Sequence, residues 1–257
     1  MADTSITAAY CGRIVHSGPR RARTERLSVT VRPTLVLDFD GTLALGRGPL
    51  QAYVGALAAQ LEDPARRDRV SSACLAAVAA FDAGTTSHRD AYDAVRTAAL
   101  AEGVADDQLG RAYLASRELL GTPEAPVLAP DGLAAFLAEI SLSATCVLAT
   151  NAPEIGVDRA LRSLGIAETL TARHHDLGKP SGLEPLVAGL LSHGPVLAVG
   201  DIWEFDLAPA HRLGADTALV GVRETPEARP TMRGASLSAL FDPIRDWVSA
   251  QRLRTPA

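Results

Sequence analysis

Two aspartates, Asp38 and Asp40, stand where a short apolar run ends. Residues 35–37 (Leu-Val-Leu) are typical of a buried strand, and Gly41-Thr42 ends that strand. Because alternate side chains of a strand point to the same side, both carboxylates can reach one site at its carboxyl end. Two like charges there favour a divalent cation, a phosphoryl group or both as their partner. Taken alone, these residues also fit a surface turn capped by an aspartate.

Polar residues follow the other apolar runs of the chain as well. After residues 144–149, 169–173 and 195–199 come, in turn, Thr150 with Asn151, Lys179, and Asp201 with Asp206. If these runs are parallel strands, their carboxyl ends meet at one edge of a sheet, where ligands bind. Thr150 and Asn151 offer a hydroxyl and an amide beside a predicted helix start, which can hold an anion. Carboxylates, one hydroxyl and one lysine together are what metal-assisted phosphoryl transfer requires.

Lysine is almost absent from this chain. Lys179 is the only lysine, and every other basic side chain apart from the histidines is an arginine. A compact ammonium on a flexible stem differs from the planar guanidinium in what it can contact. The retention of Lys179 therefore points to a role that arginine cannot fill, although chance retention is the alternative.

The order of apolar patterns predicts the fold class. From residue 144 onward, strand-like and helix-like runs alternate, which favours an α/β fold with a doubly wound parallel sheet. Between the first strand and that region, helical patterns at residues 50–61, 64–81, 88–101 and 106–120 predict an inserted helical bundle. We expect a loosely attached or disordered arm at residues 1–30, an α/β core at 31–45 and 126–257, and a helical cap at 46–125.

Composition excludes several classes of function. The chain has 257 residues, 47% of them hydrophobic, and a formal net charge of −5. This charge gives no reason to expect nucleic acid or an anionic membrane as a partner. The three cysteines are far apart and in no metal-ligand spacing, and no apolar run is long enough to span a bilayer. We therefore expect a soluble protein of the cytoplasm, with an oligomeric state that the sequence leaves open.

Taken in order, these motifs resemble those of the haloacid dehalogenase (HAD) superfamily of phosphotransferases. The resemblance covers residues 34–222, and the helical insertion is similar to the family's cap domain. Its four motifs match Asp38-Phe-Asp40-Gly-Thr42, Thr150, Lys179-Pro180, and Gly200-Asp201 with Asp206. The resemblance implies a core with a Rossmann-like sheet and a phosphorylated small molecule as substrate.

The resemblance also implies roles for single residues. Asp38 would be the nucleophile that forms an aspartyl-phosphate, and Asp40 the general acid and then the general base. Phosphate oxygens would be held by Thr150, Asn151 and Lys179. A Mg²⁺ cofactor would be held by Asp38, Asp201 and, through its backbone carbonyl, Asp40, with Asp206 supporting the site. Oxygen ligands and phosphate favour Mg²⁺ over zinc.

Several activities within this superfamily fit the sequence less well. The cap has no lysine for the Schiff base of phosphonatase relatives, and Asp40 supplies the second carboxylate that dehalogenase relatives lack. Transport ATPase relatives carry threonine at that position. A phosphatase acting on a small-molecule phosphate monoester is therefore the predicted function. A phosphomutase, or a non-catalytic protein that binds phosphate on the same fold, remains the alternative.

Overall fold

The computed structural model of the chain describes residues 32–223 and 225–253, which belong to one compact unit. Its centre is a six-stranded sheet in which every neighbouring pair of strands is parallel, in the order β3-β2-β1-β4-β5-β6. The strands are Thr34–Leu37 (β1), Thr145–Ala149 (β2), Ala172–His174 (β3), Val196–Gly200 (β4), Asp216–Val220 (β5) and Met232–Gly234 (β6).

The four central strands, β2, β1, β4 and β5, are buried on both faces because they are apolar at most positions. In β1, Leu35 and Leu37 belong to one hydrophobic cluster, whereas Val36 between them belongs to the cluster on the opposite face. The first cluster contains side chains of α5 (Leu133–Ile140), α6 (Val157–Ser163) and α9 (Phe241–Leu253). The second contains side chains of α7 (Leu183–Leu191) and α8 (Ala208–Arg212). Helices on both faces of a parallel sheet give a three-layer α/β fold.

Five helices lie between β1 and β2, and the last of them, α5, packs on the sheet. We call the first four the insertion: α1 (Gly48–Ala58), α2 (Pro64–Asp82), α3 (Ala91–Ala101) and α4 (Asp106–Glu118). Their apolar side chains form a hydrophobic cluster of their own. Three tyrosines of this cluster, Tyr53, Tyr92 and Tyr113, contact one another with ring centroids 5.8–6.0 Å apart. The insertion therefore has a core separate from the two that flank the sheet.

The structure confirms the predicted fold class, an α/β fold with a parallel sheet. It differs from the sequence prediction at several element ends. Helix α3 begins at Ala91 and not at residue 88, because Asp90 caps it by accepting a hydrogen bond of 2.7 Å from the Asp93 N–H. The edge strand β6 was not predicted, since its three residues follow Pro230 and form no apolar run.

The predicted arm at residues 1–30 lies outside the described residues. The division into a core and a cap stays a prediction, although the separate cluster of the insertion is compatible with it. Among the described residues, no helix is both long and apolar enough to cross a membrane.

Candidate active site

The polar residues predicted from the sequence meet around the central strand of the sheet. Strand β1 lies between β2 and β4, so the chain leaves β1 in a crevice between its two neighbours. Asp38 directly follows β1, Thr150 follows β2, and Asp201 follows β4. Ligands of doubly wound sheets bind at such a switch in strand order, beyond the carboxyl ends of the strands.

Lys179 joins two of the carboxylates. Its Nζ donates to Asp38 Oδ1 at 2.5 Å and to Asp206 Oδ1 at 2.6 Å, and all three side chains are buried. Burial alone would lower the pKa of Lys179, but the charges of Asp38 and Asp206 more than offset this effect, so its pKa is raised. Lys179 is therefore a fixed cation beside Asp38.

Asn151 fixes the backbone of Lys179. Its Oδ1 accepts from the Lys179 N–H at 2.6 Å, and its Nδ2 donates to the Lys179 carbonyl at 3.3 Å. The side chain thus positions the loop that carries the lysine, and the phosphate contact predicted for Asn151 stays a prediction. The Thr150 hydroxyl is buried and accepts from the Ala152 N–H at 3.0 Å, which leaves its proton free to be donated to an anion.

A group of three carboxylates could hold a cation. One oxygen from each of Asp38, Asp201 and Asp206 lies within 4.8 Å of the others. Asp201 Oδ1 is buried and has no hydrogen-bond partner among the described residues. Burial, and then the charges of Asp38 and Asp206, raise the pKa of Asp201 well above its usual value. An orphaned carboxylate oxygen among like charges fits Mg²⁺, which takes oxygen ligands.

This group differs from the predicted metal ligands in one member. The sequence assigned Asp206 a supporting role, whereas its carboxylate lies within the group itself. The side chain of Asp40 is directed elsewhere, toward Arg117, which is compatible with the predicted use of its backbone carbonyl. Asp206 is held in place by the Ile202 N–H, which donates to its Oδ2 at 2.9 Å.

Gly41 lets the loop after β1 approach Asp201. Its φ is +89°, a conformation that residues with a side chain rarely adopt. A Cβ at this position would also collide with the Asp201 carboxylate, since it would lie 2.8 Å from Cγ. The first motif thus has a glycine for two structural reasons, the positive φ and the close approach to the Asp201 carboxylate.

Asp40 has surroundings unlike those of Asp38. Its side chain is 33% exposed, and its Oδ1 lies 3.4 Å from Nη1 of Arg117, a fully buried residue of α4. Burial raises the pKa of Asp40, the Arg117 charge opposes the rise, and the Asp38 charge adds to it. The two aspartates of the first motif therefore face different cations, Lys179 and Arg117.

Sequence reasoning missed Arg117. Arginine on a predicted helix is usually taken as a solvated residue. A signal was present, because Leu109, Tyr113 and Leu120 mark a helical stripe of buried or half-buried side chains, and Arg117 falls on it at four residues after Tyr113. A charged residue on an apolar stripe is informative, because burying a charge is costly unless it has a partner.

Comparison with solved structures identifies the fold. The structure is similar to a HAD hydrolase from Bacillus subtilis, YfnB, which was solved bound to magnesium (TM-score 0.58, 18% identity, 83% of this chain and 98% of that one). It is also similar to a HAD phosphatase from Thermococcus onnurineus (TM-score 0.53, 14% identity, 86% and 99% covered). L-2-haloacid dehalogenase from Xanthobacter autotrophicus gives a TM-score of 0.52 at 16% identity, with 84% and 98% covered.

Comparisons of sequence alone give no match, either among protein-family models or among curated proteins. The structural similarity spans both the sheet and the insertion, since it covers more than four fifths of the chain. These relatives differ in chemistry, and at such low identity they establish architecture only. The fold of this chain is that of the HAD-like hydrolases, as the resemblance of its motifs implied.

Proposed function

We propose that this protein is a magnesium-dependent phosphohydrolase that cleaves a small-molecule phosphate monoester through an aspartyl-phosphate on Asp38. One observation carries the proposal: the two aspartates after β1 have separate partners. Asp38 lies against Lys179 in a buried network, whereas Asp40 stands apart from that network and faces Arg117. One carboxylate is thus placed to attack phosphorus while the other is free to move a proton.

In the first step, a carboxylate oxygen of Asp38 attacks phosphorus as the bond to the ester oxygen breaks. The contact with Lys179 orients the Asp38 carboxylate and places a positive charge beside it. The leaving oxygen takes a proton from Asp40, whose pKa is raised by burial and by the Asp38 charge against the opposing charge of Arg117. In the second step, Asp40 takes a proton from water, and the water oxygen attacks phosphorus as the bond between phosphorus and Asp38 breaks. Phosphate is released and the Asp38 carboxylate is restored.

The phosphoryl oxygens would be held by the Lys179 ammonium and the Thr150 hydroxyl, both of which are buried beside the strand ends. A bound Mg²⁺ would supply positive charge that offsets the charge of the phosphoryl oxygens, and Asp38, Asp201 and Asp206 would hold it. Support comes from the Bacillus subtilis relative, which was solved with magnesium. The orphaned Asp201 oxygen supports the same conclusion from this chain's own residues.

Asp40 favours a phosphatase over a dehalogenase, although both kinds of protein share the fold. A dehalogenase attacks carbon and expels halide, which needs no proton from the enzyme. A phosphatase releases an alkoxide, so an acid at this position lowers the barrier. The carboxylate of Asp40 near the strand end, beside the buried Arg117, therefore supports a phosphate ester as the substrate.

The test is hydrolysis of p-nitrophenyl phosphate by the purified protein with Mg²⁺ and with EDTA. We expect turnover with Mg²⁺, loss of turnover with EDTA, and phosphate trapped on Asp38 after acid quenching. Asp38→Asn should abolish both turnover and trapping because its amide cannot attack phosphorus. As a matched control, Asp158→Asn removes a half-exposed carboxylate that pairs with Arg173 and should keep full activity. Turnover that persists in Asp38→Asn would refute the assignment.

A further inference from the structure

Arg117 is the largest fully buried side chain among the described residues, with 0% of its surface exposed. The end of α4 that carries it is fixed to the sheet domain. Arg159 Nε donates to the Leu120 carbonyl at 2.7 Å. Gly156, with φ +73°, lies against the Arg117 carbonyl, and a Cβ at residue 156 would collide with that carbonyl oxygen. The guanidinium therefore sits at a defined place beside Asp40.

Most of the hydrogen-bonding capacity of this guanidinium is unused, although the Tyr92 hydroxyl lies near it as a further polar neighbour. Nη1 has one acceptor, Asp40 Oδ1, at the long distance of 3.4 Å. Nε and Nη2 are buried and have no hydrogen-bond partner among the described residues. The rings of Phe39 and Tyr113 lie 5.9 Å from Cζ, and a π face contributes less than a carboxylate would. Unpaired donors on a buried charge cost free energy of folding. The unpaired Nε and Nη2 of Arg117 are explained if a bound ligand supplies their hydrogen-bond acceptors.

The two orphaned atoms form a particular pair. In a guanidinium the N–H bonds of Nε and Nη2 are parallel, and together they match the two oxygens of a carboxylate or phosphate. Asp40 occupies the other edge of the group, at Nη1. The free edge therefore has the geometry for bidentate binding of an oxyanion while the contact with Asp40 is kept. Because both atoms are buried, an oxyanion reaches them only when the side chains packed over them move aside.

We propose that Arg117 binds a second oxyanion of the substrate, so that the preferred esters are phosphate monoesters whose alcohol carries a carboxylate or another phosphate. The inference rests on the proposed function and deepens it. Arg117 touches Asp40, the residue that protonates the leaving oxygen, and it has no hydrogen bond to Asp38, Lys179 or Asp206. Its free edge therefore serves the alcohol side of the ester and not the transferred phosphoryl group.

The experiment compares esters that differ only in the second charge. One series contains phosphooxy-alkanoates with one to four methylene groups, each paired with the hydroxyalkyl phosphate of equal length. A second series pairs alkanediol bisphosphates with the same hydroxyalkyl phosphates. Comparison of the two series shows whether a carboxylate or a phosphate is the second group that the protein recognises. We expect wild-type kcat/KM to be at least about 10-fold higher for the acidic member at the best length, since charge-assisted bidentate pairs are the strong ones.

Arg117→Gln should then lower kcat/KM about 10²-fold more for the acidic esters than for the neutral ones, since both series lose the charge beside Asp40 but only the acidic series also loses the bidentate contact. Arg117→Lys keeps the charge without the parallel donors, so its kcat/KM for the acidic esters should lie between the values of the wild type and of Arg117→Gln. Arg111→Gln is the matched control, since Arg111 lies on the same helix but is 60% exposed and pairs with Asp107. That variant should leave both series unchanged.

Two results would overturn the inference while the proposed function stands: turnover without a preference for acidic esters in the wild type, or an equal loss for both series in Arg117→Gln. The wild-type comparison decides the matter even if the variant fails to fold. Absence of turnover with every ester and Mg²⁺ would instead refute the proposed function, and this inference with it.

Discussion

The Lys179 ammonium lies 2.5 Å from the Asp38 carboxylate, and it is shared with Asp206 at 2.6 Å. In a chain with a single lysine, this is the one position where a compact cation lies between two buried carboxylates within the described residues. A guanidinium is wider and planar, and would need more room than two oxygens so close to one nitrogen allow. The geometry thus gives a physical reason for the lysine that the composition singled out.

Replacement of Lys179 by methionine should destabilise the protein by about 3–5 kcal/mol, because it leaves two buried carboxylates without their cation. Urea unfolding of the metal-free protein measures this loss, and turnover should vanish as well. Arg212→Met is the control: it breaks an ion pair with Glu184 in which the side chains are 59% and 47% exposed, so it should cost less than about 1 kcal/mol. Equal losses for the two variants would contradict the buried network.

Gly41→Ala should weaken Mg²⁺ binding, because the new methyl group would push the Asp201 carboxylate away. The strain of a positive φ also costs of order 1–3 kcal/mol. Gly214→Ala separates the two effects, since Gly214 has φ +86° against +89° at Gly41 but no atom near the added Cβ. Both variants should lose stability in thermal unfolding, whereas calorimetric titration with Mg²⁺ should show weaker binding for Gly41→Ala alone. Weaker binding in both variants would mean that Gly41 does not act through Asp201.

The sheet core and the meeting of most candidate site residues at one edge could be predicted from the sequence because local patterns determine both. Short apolar runs followed by polar residues identified β1, β2 and β4, and parallel strands bring the residues that follow them, Asp38 and Asp201 among them, to one edge. The place of Arg117 in the candidate site was not predicted, because its burial depends on how α4 packs against the sheet domain. The contacts of Lys179 with both Asp38 and Asp206 likewise depend on side-chain geometry, which spacing along the chain does not determine.

The stability of the metal-free protein should fall as pH rises from about 4 to 6. Burial raises the pKa of Asp206 to about 6, the Asp38 charge adds to the rise, and Lys179, which is shared with Asp38, only partly opposes it. An unfolded aspartate has a pKa of about 3.9, so between these values the folded protein holds a proton that the unfolded chain has released. By linkage, rising pH then favours unfolding, by up to about 3 kcal/mol.

Urea unfolding in EDTA at a series of pH values checks this expectation by comparing wild type with Asp206→Asn. The two proteins should have similar free energies of unfolding near pH 4, where Asp206 is protonated. As pH rises, the variant should become more stable than the wild type. Added Mg²⁺ should reduce the loss in the wild type, since a cation stabilises the ionised carboxylates. A variant that instead loses stability relative to wild type with rising pH would show that the pairing with Lys179 outweighs burial.

Asp40→Asn should separate the two chemical steps of the proposed reaction. The variant keeps Asp38 and its contact with Lys179, so it can still form the aspartyl-phosphate from an ester with a good leaving group, which needs little protonation. It cannot activate water, and general base catalysis contributes roughly 10²–10⁴-fold. The adduct should therefore accumulate, and mass spectrometry of the variant with Mg²⁺ and p-nitrophenyl phosphate should find one phosphoryl group on Asp38.

The same variant loses a charge-assisted contact with Arg117, so its unfolding must be measured beside wild type to show that the site is folded. A burst of one equivalent of p-nitrophenol followed by slow turnover is the expected time course. Rapid steady turnover without a burst would show that Asp40 does not activate water. A folded variant with neither a burst nor an adduct would show that Asp40 is needed for the first step even with an activated ester, and the assignment of Asp40 as a proton donor and acceptor alone would be wrong.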